Sequence, residues 1–127
     1  MNDLQNLIEQ LQDTNPRIRA NAARNLGDTG DIQVIEALTI ALQDEHVIVA
    51  RTAALSLGKI GGCEVVAPLA ALLGYDNVWL RKAAVQALGL ARCGDAAPLL
   101  VNVLADSDLN LLAREALITL KVNPDFF

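Results

Sequence analysis

The chain has 127 residues, 53% of them hydrophobic but only 3% aromatic, and a formal net charge of −5. That length fits one domain, and apolar content made mostly of Ala, Leu and Val suits closely packed short helices better than a β-sandwich. The acidic total argues against a general binder of nucleic acid or of anionic membranes. No uninterrupted apolar run reaches ~18 residues, and no basic leader opens the chain, so neither membrane insertion nor secretion is expected and the cytoplasm is the expected location.

In chain order, the first predicted helix covers about residues 3–12, with Leu4, Leu7, Ile8 and Leu11 on one face and Asn2 or Asp3 as cap. The turn 13–15 stops it, and Pro16 suits the first turn of a second helix over about 16–26, which Gly27 is expected to end. The same pair is expected again at about 32–43 and 46–60, at 63–73 and 77–91, and at 96–105 and 109–122. Gly27, Gly58 and Gly89 recur at a spacing of 31, each after a leucine. Leu7, Leu38, Leu69 and Leu100 correspond, as do Leu11, Leu42, Leu73 and Leu104, and Asp13, Asp44 and Asp106, with Tyr75 once in their place.

A fixed period of this size predicts an all-α fold, an α-solenoid (α-α superhelix) of four helix pairs, A then B. The repeats divide a single domain at about 1–31, 32–62, 63–95 and 96–127. Ala22, Ala53, Ala84 and Ala116 are expected to let B helices approach, so a large side chain there should cost ~1–3 kcal/mol. Cys63 and Cys93 fall near the same point of consecutive repeats. Stacked helices lie ~8–10 Å apart whereas a disulfide needs Cα atoms within ~7 Å, so two reduced thiols are expected.

The segments IRANAARNLGDTGD (18–31), VARTAALSLGKIGG (49–62) and LRKAAVQALGLARCGD (80–95) resemble the HEAT-like repeats of phycobilisome lyases, whose motif runs D-x-x-x-x-V-R-x-x-A-A-x-A-L-G-x-x-G-D. The match is carried by Asp13, Ile18, Arg19, Ala22, Ala23, Leu26, Gly27, Gly30 and Asp31. Ala50 replaces the motif arginine in the second repeat and Gly62 its closing aspartate. The third repeat reads as carrying extra loop residues at Arg92-Cys93, and the fourth, LAREALITLK (112–121), lacks both arginine and glycine. The resemblance implies four HEAT-like helix pairs with the B helices lining the concave surface.

All ten basic residues lie on a B helix or in the loop after it, whereas the A helices and A-to-B turns carry acidic residues. Arg19 and Arg81 are expected to bond turn aspartates such as Asp13 and Asp44. Arg51, Lys82 and Arg114 read as equivalents of Ala20, pointing into solvent. Two rows flank them: Arg17, Ile48, Trp79 and Leu111, then Arg24, Leu55, Gln86 and Ile118. Trp79 is either an interface anchor or core cover beside Tyr75.

A partner-binding face of Arg51, Trp79, Lys82 and Arg114, with Arg24, Leu55 and Gln86, is therefore expected to hold a protein partner of acidic or mixed character. No catalytic residue, metal ligand or cofactor is expected, because His46 is the sole histidine and the two cysteines lack C-x-x-C spacing. The function expected is a non-catalytic protein-interaction scaffold. The resemblance implies an alternative, a bilin lyase or phycobilisome-assembly accessory subunit. Asp3, Gln5, Asn6, Glu9, Gln10 and Gln12 should form a polar cap at one end. At the other end, excess apolar residues and Phe126-Phe127 suggest self-association through the C-terminal repeat.

Overall fold

The computed structural model describes residues 3–121. These hold the helices α1 (Asp3–Gln10), α2 (Pro16–Thr29), α3 (Ile35–Ala41), α4 (Val47–Ile60), α5 (Val66–Ala71), α6 (Val78–Leu90), α7 (Ala97–Asn102) and α8 (Asn110–Thr119), with no strand among the described residues. Short 3-10 turns lead into α3, α5 and α7 over Ile32–Val34, Cys63–Val65 and Gly94–Ala96. Those turns start 31 residues apart, so Arg92-Cys93 are not additional loop residues; Gly94 stands where Ile32 and Cys63 stand.

The B helices form one row. α2 packs on α4, α4 on α6 and α6 on α8, and α1, α3, α5 and α7 each lie against their own B helix. This neighbour-to-neighbour packing is that of an α-solenoid, in which each pair buries its apolar stripe only by stacking. Leu38, Leu69 and Leu100 from the A helices and Leu26, Leu57, Leu88 and Leu117 from the B helices are fully buried between the layers. Asp3, Gln5, Asn6, Glu9, Gln10 and Gln12 are exposed along the first helix and the turn after it, as a polar end requires.

The recurrent glycine does a different job from the one expected. α2 continues to Thr29 and α4 to Ile60, so Gly27, Gly58 and Gly89 lie inside their helices. A Cβ on Gly27 would lie 2.5 Å from Ser56 Cβ, one on Gly58 2.8 Å from Ala87 Cα and one on Gly89 2.7 Å from Ala116 Cβ. At each glycine the next B helix lies too close for a side chain to fit without a shift. Termination falls to the next position with positive φ: Gly30 at φ 65°, Gly61 at φ 75° and, without glycine, Arg92 at φ 57°.

The fourth repeat is out of step. The side chains of Asn15 and Asn77 accept from the Arg17 and Trp79 N–H groups at 2.9 and 2.8 Å, starting α2 and α6. Asp106 does the same for Asp108 at 2.8 Å, and its carbonyl accepts from Asn110 as that of Asn77 accepts from Arg81. In its side-chain bond Asp106 also matches Asp13 and Asp44, which accept from the Asn15 and His46 N–H groups at 2.8 and 2.9 Å, and α8 itself begins only at Asn110. Ala113 and Leu117 take the buried places of Ala84 and Leu88, and Ala116 packs on Gly89.

The cysteines overturn a second expectation. Cys63 and Cys93 form a disulfide, with Cα atoms 5.1 Å apart. Helix-axis spacing was the wrong measure, because the bond joins loops: Cys63 follows α4 and Cys93 follows α6. The Gly62 N–H donates to the Ala91 carbonyl at 2.8 Å, drawing the two loops together. The expectations for Val122 to Phe127 fall outside the described residues.

Candidate functional site

The B helices present one face of the stack to solvent, and the period decides which side chains reach it. On α4, Ile48, Arg51 and Leu55 share a stripe; on α6, Trp79, Lys82, Gln86 and Leu90 do. Ile48 is 56% exposed and Trp79 55%, so Trp79 does not fold down as core cover. The Lys82 ammonium lies 5.0 Å from the centre of the Trp79 ring, a cation–π contact. Arg51 is exposed, and the Arg24 guanidinium donates to Asn21 Oδ1 at 3.1 Å.

The shift in the fourth repeat rearranges the expected set. Leu111, 67% exposed, falls in register with Arg51 and Lys82, and Glu115 falls in register with Leu55 and Gln86. Arg114, exposed on α8, occupies the place of Ala23, Ala54 and Val85, and Ile118 that of the contact glycines. Arg51, Trp79, Lys82, Leu55, Gln86 and Arg24 therefore share the B-helix face, whereas Arg114 falls outside that stripe.

A groove of about 350 Å³ crosses this face, lined by Leu55 of α4, Gln86, Gly89 and Leu90 of α6, and Leu112, Glu115, Ala116 and Thr119 of α8. The bare Gly89 backbone and the small Ala116 side chain lower its floor. Leu90 and Leu112 escaped the sequence reading; the stripe spacing from Gln86 would have found Leu90, but Leu112 needed the correct register.

The motif arginines are structural. Arg19 Nε donates to Asp44 Oδ2 at 2.8 Å, Nη2 to Oδ1 at 3.1 Å, and Nη1 to the Asp13 carbonyl at 2.7 Å. The hydrogen bond to Asp44 raises Arg19 further above its ordinary value, against the opposing effect of burial. Burial alone would push Asp44 up, but the bonds from Arg19 and from the His46 N–H outweigh it and hold the carboxyl below 3.8. Arg81 repeats half of this, donating to the Tyr75 and Asp76 carbonyls at 2.7 and 2.8 Å. Among the described residues Arg81 makes no carboxylate bond like that of Arg19 to Asp44.

Cys63, Cys93 and Asp95 bring two sulfurs and a carboxylate within 4.8 Å of one another. With the sulfurs bonded to each other neither is a thiolate, so the trio in this state offers a cation one carboxylate only. Among the described residues no helix is long and apolar enough to cross a membrane.

A family model of HEAT repeats matches residues 4–89, and one of the PBS lyase HEAT-like repeat matches residues 80–106. No functionally curated protein matches the sequence. Among solved structures, the complex of CpcE and CpcF of phycocyanin lyase from Nostoc sp. PCC7120 contains a chain 26% identical, with a TM-score of 0.81 over 94% of this chain and 54% of that one. Two engineered proteins are each 24% identical: one has a TM-score of 0.71 over 99% of this chain and 65% of its own, the other 0.66 over 94% and 64%. This chain thus spans about half the length of the lyase chain it resembles.

Proposed function

The chain belongs to the HEAT repeat family, and we propose that it works as a non-catalytic scaffold that holds a protein partner on its B-helix face. The observation that carries this reading is the groove of about 350 Å³ spanning three successive B helices, continuous with the stripe of exposed Trp79 and Gln86 and half-buried Lys82. An apolar floor flanked by an exposed Trp and by Arg51 and Lys82 suits a segment with apolar side chains and nearby carboxylates. The site takes Arg51, Trp79, Lys82, Arg24, Leu55 and Gln86, together with Leu90 and Leu112, and we place the protein in the cytoplasm. Pull-down from the native cytosol compares the wild type with the Arg51→Glu/Lys82→Glu double variant. Loss of a partner at unchanged helical content supports the face; equal recovery removes these residues from it.

A second reading is favoured by the PBS lyase repeat match and the 26% identity to a phycocyanin lyase chain: a subunit of a bilin lyase or a phycobilisome-assembly accessory. On that reading the partner is a second helical-repeat chain. Co-expression with bilin and its acceptor protein separates the two, since a scaffold alone yields no covalent chromophore and no bilin absorbance.

A further inference from the structure

We propose that the Cys63–Cys93 disulfide is a redox-operated clamp between successive repeats, opened in the folded protein by a dithiol reductant. The bond joins the loop after α4 to the loop after α6, and so ties together the C-terminal ends of two neighbouring B helices. Its two cysteines differ in exposure. Cys63 is exposed, whereas Cys93 is 1% exposed.

Exchange therefore begins at Cys63. A reductant thiolate attacks Cys63 Sγ, the S–S bond breaks, and Cys93 leaves as a thiolate that takes up a proton. The reductant's second thiol then attacks the mixed disulfide and releases Cys63. Two electrons reach the protein pair and the reductant becomes a disulfide. The Asp95 carboxylate, within 4.8 Å of both sulfurs, repels an approaching thiolate and slows the first step.

What the clamp holds is a tightly built junction. Beside it Gly61 faces the Ala91 carbonyl and the Arg92 guanidinium, the Gly62 N–H bonds the Ala91 carbonyl, and Arg92 sits at φ 57°. Opening the bond leaves one hydrogen bond to hold a loop pair that includes a non-glycine residue in left-handed conformation. The bond closes a segment of 30 residues; loop-closure entropy for that length puts its effect at roughly 10²-fold or more on the unfolding equilibrium. On the cytoplasmic location proposed above, where a disulfide is rare and usually transient, the bond fits a switch better than a permanent staple.

The test uses the full chain with dithiothreitol and does not depend on any partner. In native buffer, reduction should expose two maleimide-reactive thiols at full helical content, and removing the reductant under mild oxidation should restore the bond. Amide exchange at about 58–62 and 87–93 should rise at least about tenfold on reduction, with the N-terminal half of α2 unchanged. Cys63→Ser should copy the reduced state, and if it folds poorly the reduced wild type supplies the same comparison. Asp95→Asn should speed native reduction several-fold at low salt. Two free thiols in protein purified without reductant, reduction only in denaturant, an Asp95-independent rate, or unchanged exchange would each overturn the proposal.

Discussion

Gly58→Ala puts the packing of the B-helix row to its strictest test. A Cβ at this position would lie 2.8 Å from both the Cα and the carbonyl oxygen of Ala87, and 3.0 Å from its Cβ. Two of those three neighbours are backbone, so no side-chain rotation relieves the contact and α4 and α6 must separate. Overpacking of this kind costs ~1–3 kcal/mol, while replacing glycine by alanine within a helix returns ~0.5–1 kcal/mol. The midpoints of these ranges leave a net loss of ~1 kcal/mol, read as a lower urea midpoint at constant m-value. Removing the partner methyl group should not help: Gly58→Ala with Ala87→Gly stays destabilised, because the Cα and carbonyl contacts remain. Gly74→Ala is the control, since nothing lies within 4 Å of its added Cβ. A neutral or stabilising Gly58→Ala would mean that the recurrent glycine is not a contact residue.

Two further outcomes can be checked on the purified protein. Arg92→Gly removes a non-glycine residue from φ 57° and should stabilise the protein by up to ~1 kcal/mol in thermal unfolding, with the disulfide intact. Because Asp44 is held below its ordinary 3.8, its contribution to stability is complete above that value and is lost as pH falls through the lower folded-state value. Wild type should accordingly lose more stability on acidification below about pH 4 than Asp44→Asn does, as followed by urea midpoints across pH.

The period of 31 made the architecture readable from the sequence. Leucines at that spacing must sit at equivalent depth in stacked pairs, and Leu38, Leu69 and Leu100 do. The B-helix face was equally legible: Ile48 and Trp79 are apolar at a position the repeat exposes, and both are more than half exposed. The fourth repeat was not legible, for a definite reason. Alignments by 29 and by 32 residues differ by three, close to the ~3.6 residues of one helical turn, so both keep the apolar residues of α8 facing inward. The contact of Gly89 with Ala116, which repeats that of Gly58 with Ala87, chooses the shift of 29 and puts Leu111 rather than Arg114 in register with Lys82.

By itself, then, the sequence determined that this chain forms helix pairs, that the pairs stack in a row, and which stripe of each B helix lies inside, because these follow from local periodicity repeated four times. The tertiary structure alone decided how closely neighbours meet. Gly27, Gly58 and Gly89 look like helix ends in one dimension and prove to be contact points in three, and Cys63 and Cys93 meet because loops converge where helix axes stay apart. Distances between segments some thirty residues apart depend on the path of the whole chain, and no local pattern encodes them.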